Sequence, residues 1–400
     1  MRSISNLLYA SLSLISLVAT ASEPASVRED DTFDLNVPDA AVISPEAASA
    51  DENAGFAGNP AGDWMSWWPK DLVLAPIPSR SPEFGWGLAV AAGYFMDLDK
   101  DNPDTPNSSV GIVGKYTENK SWAAGLGGKF NLLNDNVRIR GGVAYMDINY
   151  KFYGIGNGAG DEGQSVDIAQ QAPLAYVSGT YQIFPNLYAG LGFLGGTVET
   201  AADPGVALPP DAPADINLDL NVNALEIPLQ YDTRDDDIYP RSGWLVDVRG
   251  FIQREALGTD FDSESVSIAA NHYRSMRKRD VLAFRAYTRA TGGDTPFFLL
   301  SSFGGRTDLR GYESGRYRDN VMYAVQTEYR WQPLDRWIFT GFVGVGEVAE
   351  DYGSFFDNFL PAAGAGARFV LSPRHQLNLA LDVGVGKHGA EFYFAIGEAF

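Results

Sequence analysis

The chain has 400 residues, with 51 acidic against 30 basic side chains, a formal net charge of -21 and no cysteine. That balance excludes a nucleic-acid partner, since phosphate binding needs a basic footprint. The missing thiol excludes a disulfide frame, a thiolate metal site, a thiol nucleophile and a lipidated cysteine. Glycine at 43 residues, with 19 tyrosines, 23 phenylalanines and 8 tryptophans, suits strands, tight turns and aromatic girdles better than a helical bundle.

Met1 to Ala21 reads as a signal peptide, with Arg2, an apolar run from Leu7 to Ala19 and an A-x-A site at Ala19-Thr20-Ala21. The run is shorter than the roughly 20 residues a spanning helix needs. Ser22 to Lys70 is acidic and proline-rich and reads as a disordered periplasmic leader. Its Trp64, Trp67 and Trp68 are expected to anchor at the interface or plug the barrel mouth. No later apolar run is long enough for a transmembrane helix, because Asp, Asn, Arg or Gly interrupts each one.

From 71 to 400 the period becomes two. Leu377, Leu379, Leu381, Val383 and Val385 oppose Asn378, Ala380, Asp382 and Gly384, while Val321, Val325 and Tyr329 oppose Met322, Gln326, Glu328 and Arg330. A soluble sandwich alternates too, but its strands usually run five or six residues. Crossing hydrocarbon at a tilt takes about nine to eleven, which these segments provide.

The expected strands are 71 to 78, 84 to 96, 108 to 116, 121 to 131, 136 to 150, 173 to 184, 187 to 199, 217 to 232, 242 to 254, 263 to 274, 280 to 291, 319 to 330, 337 to 348, 361 to 371, 376 to 386 and 390 to 400. They make an all-β, 16-stranded antiparallel transmembrane β-barrel, even-numbered as single-chain bacterial barrels are. Loops 151 to 172, 200 to 216, 292 to 318 and 349 to 360 would lie outside, and the short turns in the periplasm, with the long turn 97 to 107 unexplained. Between Leu218 and Tyr231 the apolar parity slips by one residue, which predicts a β-bulge near Ala224. The segment 390 to 400 places Phe392, Phe394, Ile396 and Phe400 on one parity, as in the sorting signal outer-membrane barrels present to their insertion machinery.

Several motifs resemble the BamA/TamA superfamily, the surface-antigen barrels of outer-membrane assembly and translocation. They are Pro76 to Gly87, resembling the family's first hairpin, the aromatic-Gly-x-Gly-Asn stretch Phe152 to Asn157, and Asp232, Arg234 and Asp235 followed by Pro240 and Gly243. The most specific is Phe303-Gly304-Gly305 followed by Leu309, Arg310, Gly311 and Tyr312 in loop 292 to 318. The resemblance implies that this loop folds into the lumen and that Arg310 pairs with inward acids, Glu328 first. Where the family carries an inward acid on the next strand this chain has Gly344, and Asp382 is the candidate replacement. The resemblance covers about 71 to 400. Family assembly factors carry periplasmic modules of about 75 residues, too long for Ser22 to Lys70, so a barrel-only branch is expected.

Catalytic chemistry is not expected. His272, His375 and His388 share no metal spacing, His272 falls on the apolar parity with Val266 and Ile268, and no Gly-x-Ser-x-Gly elbow occurs. Asp235, Asp236 and Asp237 read as a solvated turn rather than a calcium site. No cofactor is expected. The expected role is insertion or translocation of protein or lipid through a plugged lumen and a weak first-to-last strand seam, the alternative being a passive or gated pore or a structural barrel. Expected partners are outer-membrane lipid and lipopolysaccharide, the insertion machinery during the chain's own assembly, and client proteins.

Overall fold

The computed structural model describes residues 72–98, 105, 108–202, 209, 212–213, 216–236, 239–372 and 377–400. The signal peptide, the leader with its tryptophans, Asp237, His375 and most of the 97 to 107 connection lie outside the described residues.

The described strands are β1 (Leu72–Ser81), β2 (Gly85–Met96), β3 (Ser108–Thr117), β4 (Trp122–Leu132), β5 (Val137–Phe152), β6 (Val166–Phe184), β7 (Leu187–Ala202), β8 (Leu218–Asn221), β9 (Ala224–Asp232), β10 (Gly243–Gln253), β11 (Ser263–Ser275), β12 (Val281–Gly293), β13 (Ser301–Phe303), β14 (Tyr317–Asp319), β15 (Val321–Leu334), β16 (Trp337–Ala349), β17 (Leu360–Ser372), β18 (Leu377–Gly386) and β19 (Gly389–Ile396). With β8 and β9 as one wall strand and β13 and β14 paired apart from the wall, they close an antiparallel barrel of 16 strands. Every strand expected from the sequence is present.

Period-two alternation sorts the wall by medium. Leu88, Ile112, Leu126, Val143, Val177, Leu191, Val343 and Leu381 are about half exposed and face outward as a lipid band. Trp86, Tyr116 and Trp122 flank the band toward the long loops, and Tyr181, Trp244, Trp331 and Trp337 flank it toward the short turns. These are two aromatic girdles. Inward, Met322, Ala324, Gln326, Glu328 and Arg330 are buried on β15, as are Asn378, Ala380 and Asp382 on β18.

Three expectations are corrected. β6 begins at Val166, not 173, since it continues above the lipid with Val166, Ile168 and Gln170 buried inward and Asp167 and Gln171 exposed. No bulge interrupts the strand at Ala224, because β7 keeps one register through Val198↔Leu220 and Leu194↔Ala224. The apolar parity flips there because the medium changes. Outward of Val222 the strand leaves the lipid, and Leu218, Leu220 and Val222 face a dry lumen core. Finally, β19 ends at Ile396, and Gly397 at φ 84 turns the last residues out of the wall. Phe392, Phe394 and Ile396 therefore lie on the strand, whereas Phe400 packs inward near Tyr273, Val281 and Ala283.

Closure is uneven around the ring. β1 follows β2 from Leu72↔Tyr94 to Ser81↔Gly85, and β18 follows β19 from Leu379↔Ile396 to Gly386↔Gly389. Among the described residues the one bridged pair between β1 and β19 is Arg80↔Phe394. Arg80 Nη1 adds a hydrogen bond to the Phe392 carbonyl at 3.1 Å, and its guanidinium lies 5.7 Å from the Phe392 ring.

Candidate functional site

The loop between β12 and β15 enters the lumen, as the resemblance implies. Its Phe297, Phe298 and Leu299, in a single 3-10 turn, join Met146, Ile148, Phe152, Val166 and Ile168 in a dry core at the long-loop end. The Phe152 and Phe297 rings lie 4.8 Å apart. From the β13–β14 pair and the segment between its strands, Phe303, Leu309, Tyr312 and Tyr317 pack with Met322, Ala324, Val348 and Leu360. Full burial of each such side chain contributes roughly 1.5–3 kcal/mol, so the loop is a packed element. A short helix, α1 (Gly156–Glu162), caps it from β5–β6, with Asn157 donating to the Val348 carbonyl at 2.6 Å and Tyr317 donating to Asp161 at 2.8 Å. A second, α2 (Gly305–Asp308), carries Asp308 to Arg285 of β12 at 3.0 Å.

At the tip, Arg310 is fully buried. Its Nη1 lies 2.6 Å from Glu328 and 3.3 Å from Asp382, and its Nε donates to Gln326 at 3.2 Å. The guanidinium also sits 3.6 Å from the Phe342 ring centre. The approach to Glu328 is off the N–H axis, an ion pair rather than an aligned hydrogen bond. Gly311, at φ 109, has its N–H bonded to the Tyr393 hydroxyl at 3.0 Å, and a Cβ there would meet the Val385 carbonyl carbon at 2.9 Å. Tyr312 donates to the Pro361 carbonyl at 2.7 Å. Leu309, Arg310, Gly311 and Tyr312 thus each have a distinct seat.

Both proposed acids reach Arg310, and both are shared. Glu328 also takes Arg330 at 2.8 Å and lies 3.7 Å from Arg368. Asp382 holds Arg368 bidentately at 2.7 and 3.2 Å and lies 3.6 Å from Arg306. Glu398 of the inward tail takes Arg368 at 3.0 Å and Asn378 at 2.8 Å. Arg306 donates to the Glu398 carbonyl at 2.8 Å, and Arg330 to that of Phe400 at 2.8 Å. A network of this kind keeps buried guanidinium groups from standing uncompensated.

Gly344 leaves no room for a carboxylate of its own. A Cβ at this position would come within 2.6 Å of the Leu309 side chain and 2.7 Å of the Val325 carbonyl. Leu309 fills the space an acid would need, and Asp382, two strands along, supplies the carboxylate. The sequence reading did not single out Arg306, Arg368 or Glu398 as members. For Arg368 the signal was its inward parity on β17, but pairing it with Asp382 required the register Arg368↔Ala380 and Gly366↔Asp382.

The turn motif is held by its own side chains. Arg234 grips Asp232 at 2.9 and 2.7 Å, and Asp235 accepts from the Arg241 and Ser242 amides at 2.9 and 3.0 Å. Asp236 accepts from the Tyr239 amide at 2.7 Å. These carboxylates cap the turn. His272 is stacked on Trp244 at 4.1 Å on the outer face, and His388 meets the Tyr317 hydroxyl at 2.6 Å.

Above the tip, Glu313 accepts from Tyr153 at 2.7 Å. Burial lifts its carboxyl to about 7, against the pull of the Tyr153 hydrogen bond and with the help of nearby Glu83. Asp161 is held below its ordinary range, since hydrogen bonds from Lys387 and Tyr317 outweigh the opposing effect of burial.

Residues 204–400 match the family described as Omp85 superfamily domain. No curated protein sequence matches the chain. Among solved structures, BamA from Haemophilus ducreyi lacking POTRA domains 1–3 superposes with a TM-score of 0.58 at 15% identity, over 82% of this chain and 70% of that one. CdiB from Escherichia coli gives 0.56 at 10% identity and CdiB from Acinetobacter baumannii 0.52 at 14%, each over 82% of this chain. The chain spans 63% and 60% of those two CdiB chains. The chain is therefore an outer-membrane β-barrel that carries an Omp85 superfamily domain over residues 204–400.

Proposed function

We propose that this barrel inserts or translocates protein or lipid at the outer membrane by parting β1 from β19 while the lumen loop keeps the interior closed. The observation that carries the reading is the seam, where Arg80↔Phe394 stands alone against full ladders on both sides. Among the described residues, separating those two strands sacrifices one bridged pair, the Arg80 side-chain bond and the ring contacts of Arg80 with Phe392 and of Trp86 with Phe394, whereas any other junction holds a row of hydrogen bonds. The dry core around Phe297, Phe298 and Leu299 weighs against a passive pore. Lipid and lipopolysaccharide would meet the outer band, Phe392, Phe394 and Ile396 would present the sorting face to the insertion machinery, and clients would engage the freed edges.

The test exploits the absence of cysteine. The double variant Arg80→Cys with Phe394→Cys places thiols on Cα partners, and oxidation should staple the seam. In liposomes the stapled barrel should lose its ability to accelerate insertion of a client barrel and regain it on reduction. Full activity in the stapled form would overturn the proposal.

A further inference from the structure

The lumen is not filled evenly. On β5, Met146, Ile148 and Phe152 are buried toward the long-loop end, while inward Arg138, Arg140, Gly142 and Ala144 remain partly exposed toward the short turns. Inward Lys129, Thr180, Gln182, Gln230, Asp247 and Arg249 are likewise partly exposed. The interior therefore keeps a wet chamber beside β4–β10, closed above by the dry core.

Four cations, Lys129, Arg138, Arg140 and Arg249, line that chamber inside a chain of net charge -21. Lys129 and Arg140 are Cα partners on adjacent strands, and like charges directly opposite are destabilising. The local acids are committed elsewhere. Asp135 holds Arg138 at 2.9 Å, Asp247 holds Arg249 at 2.6 and 3.3 Å, and Glu226 takes the Tyr176 hydroxyl at 2.6 Å and Arg249 at 3.7 Å. Among the described residues Arg140 has neither a hydrogen bond nor an ion pair, and repulsion from Arg249 and Arg138 exceeds the attraction of Asp247. An enclosed guanidinium kept without an acceptor is costly, and its planar fork fits an oxyanion bidentately. Its partner on the other side is Ser178, whose hydroxyl can add a donor.

The geometry points to an oxyanion site at Arg140, completed by Lys129 and Ser178, that takes a phosphate group entering from the short-turn end. Two cations and a hydroxyl suit a phosphate, whether it arrives free in solution or on a lipid headgroup. The site is separate from the lumen loop and the seam, so it stands or falls without the translocation reading.

The experiment uses the full chain in detergent, with unfolding temperature and titration calorimetry as readouts and ionic strength matched with chloride. One arm adds inorganic phosphate, and the other adds micelles containing phosphatidylglycerol or, as control, phosphatidylcholine. At least one phosphate source should raise the unfolding temperature of the parent, and Arg140→Gln should weaken that binding at least tenfold. Arg140→Lys should retain part of it. A response to inorganic phosphate identifies a soluble ligand, and one to phosphatidylglycerol alone identifies a headgroup. Without ligand, Arg140→Gln should unfold at the same or a higher temperature, because it relieves repulsion. The proposal is overturned if neither source binds more tightly to the parent than to Arg140→Gln. It is also overturned if the unliganded variant is the less stable, which would make Arg140 a structural cation.

Discussion

Arg310 and Glu328 sit 2.6 Å apart with no exposure, yet the network makes their removal unequal. Arg310→Ala leaves Glu328 with Arg330 at 2.8 Å and Asp382 with Arg368 at 2.7 Å, so both carboxylates keep a cation. Breaking a buried pair costs about 3–5 kcal/mol, and this substitution belongs at the lower end. Glu328→Ala leaves Arg310 with Asp382 at 3.3 Å, and Arg330 with Glu398 at 3.8 Å and the Phe400 carbonyl. Two guanidinium groups then lose their closest carboxylate, which places the loss near or above 5 kcal/mol. The double variant should cost about 1–3 kcal/mol less than the sum. Urea unfolding in detergent followed by tryptophan fluorescence measures all three, and protease nicking of the loop reports its seat. The reasoning is refuted if Arg310→Ala proves costlier than Glu328→Ala, or if the two losses add.

Gly344→Asp places an acid where the resemblance led one to be expected, but its Cβ would press on Leu309 and the Val325 carbonyl. Overpacking of this kind costs about 1–3 kcal/mol, so the loop should become more protease-sensitive, and a gain in stability would show that Leu309 yields freely. Glu313 carries a carboxyl raised to about 7 by burial, with Glu83 adding to the rise and the Tyr153 hydrogen bond opposing it. A seated loop therefore binds this proton more tightly than a lifted one. The gain is complete below the ordinary glutamate range and is lost as pH rises through about 7, amounting to at most about 3 kcal/mol. A spin label at Thr307→Cys, an exposed position on α2, should be more mobile at pH 8 than at pH 5.5, and Glu313→Gln should flatten that difference.

The wall was legible because each strand repeats its in-and-out pattern over many residues, and the pattern reports the medium on each side. The same fact produced the error at Ala224, where Leu218, Leu220 and Val222 changed parity because the lumen turned dry, while the register with β7 ran on unchanged. The start of β6 was missed for a related reason, since Asp167 and Gln171 face water above the lipid and read as loop. The family resemblance supplied Arg310 and Glu328, and parity supplied Asp382, but β13 and β14 have three residues each and leave no period to read. Phe400 matched the parity of Phe392, and only the left-handed backbone at Gly397 reveals that the strand has already ended.

With a glycine at position 344, the grip on the loop tip lies toward the seam. Asp382 belongs to β18 and the Tyr393 hydroxyl that holds the Gly311 amide belongs to β19. A displacement of β19 away from β18 would strain that amide bond, whereas a parting of β1 from β19 that leaves β19 on β18 would not, so the plug stays seated while the last two strands move together. A chain with its second acid on β16 would let the final strand swing while the plug stayed put. Here the final strand carries part of the plug's tether with it.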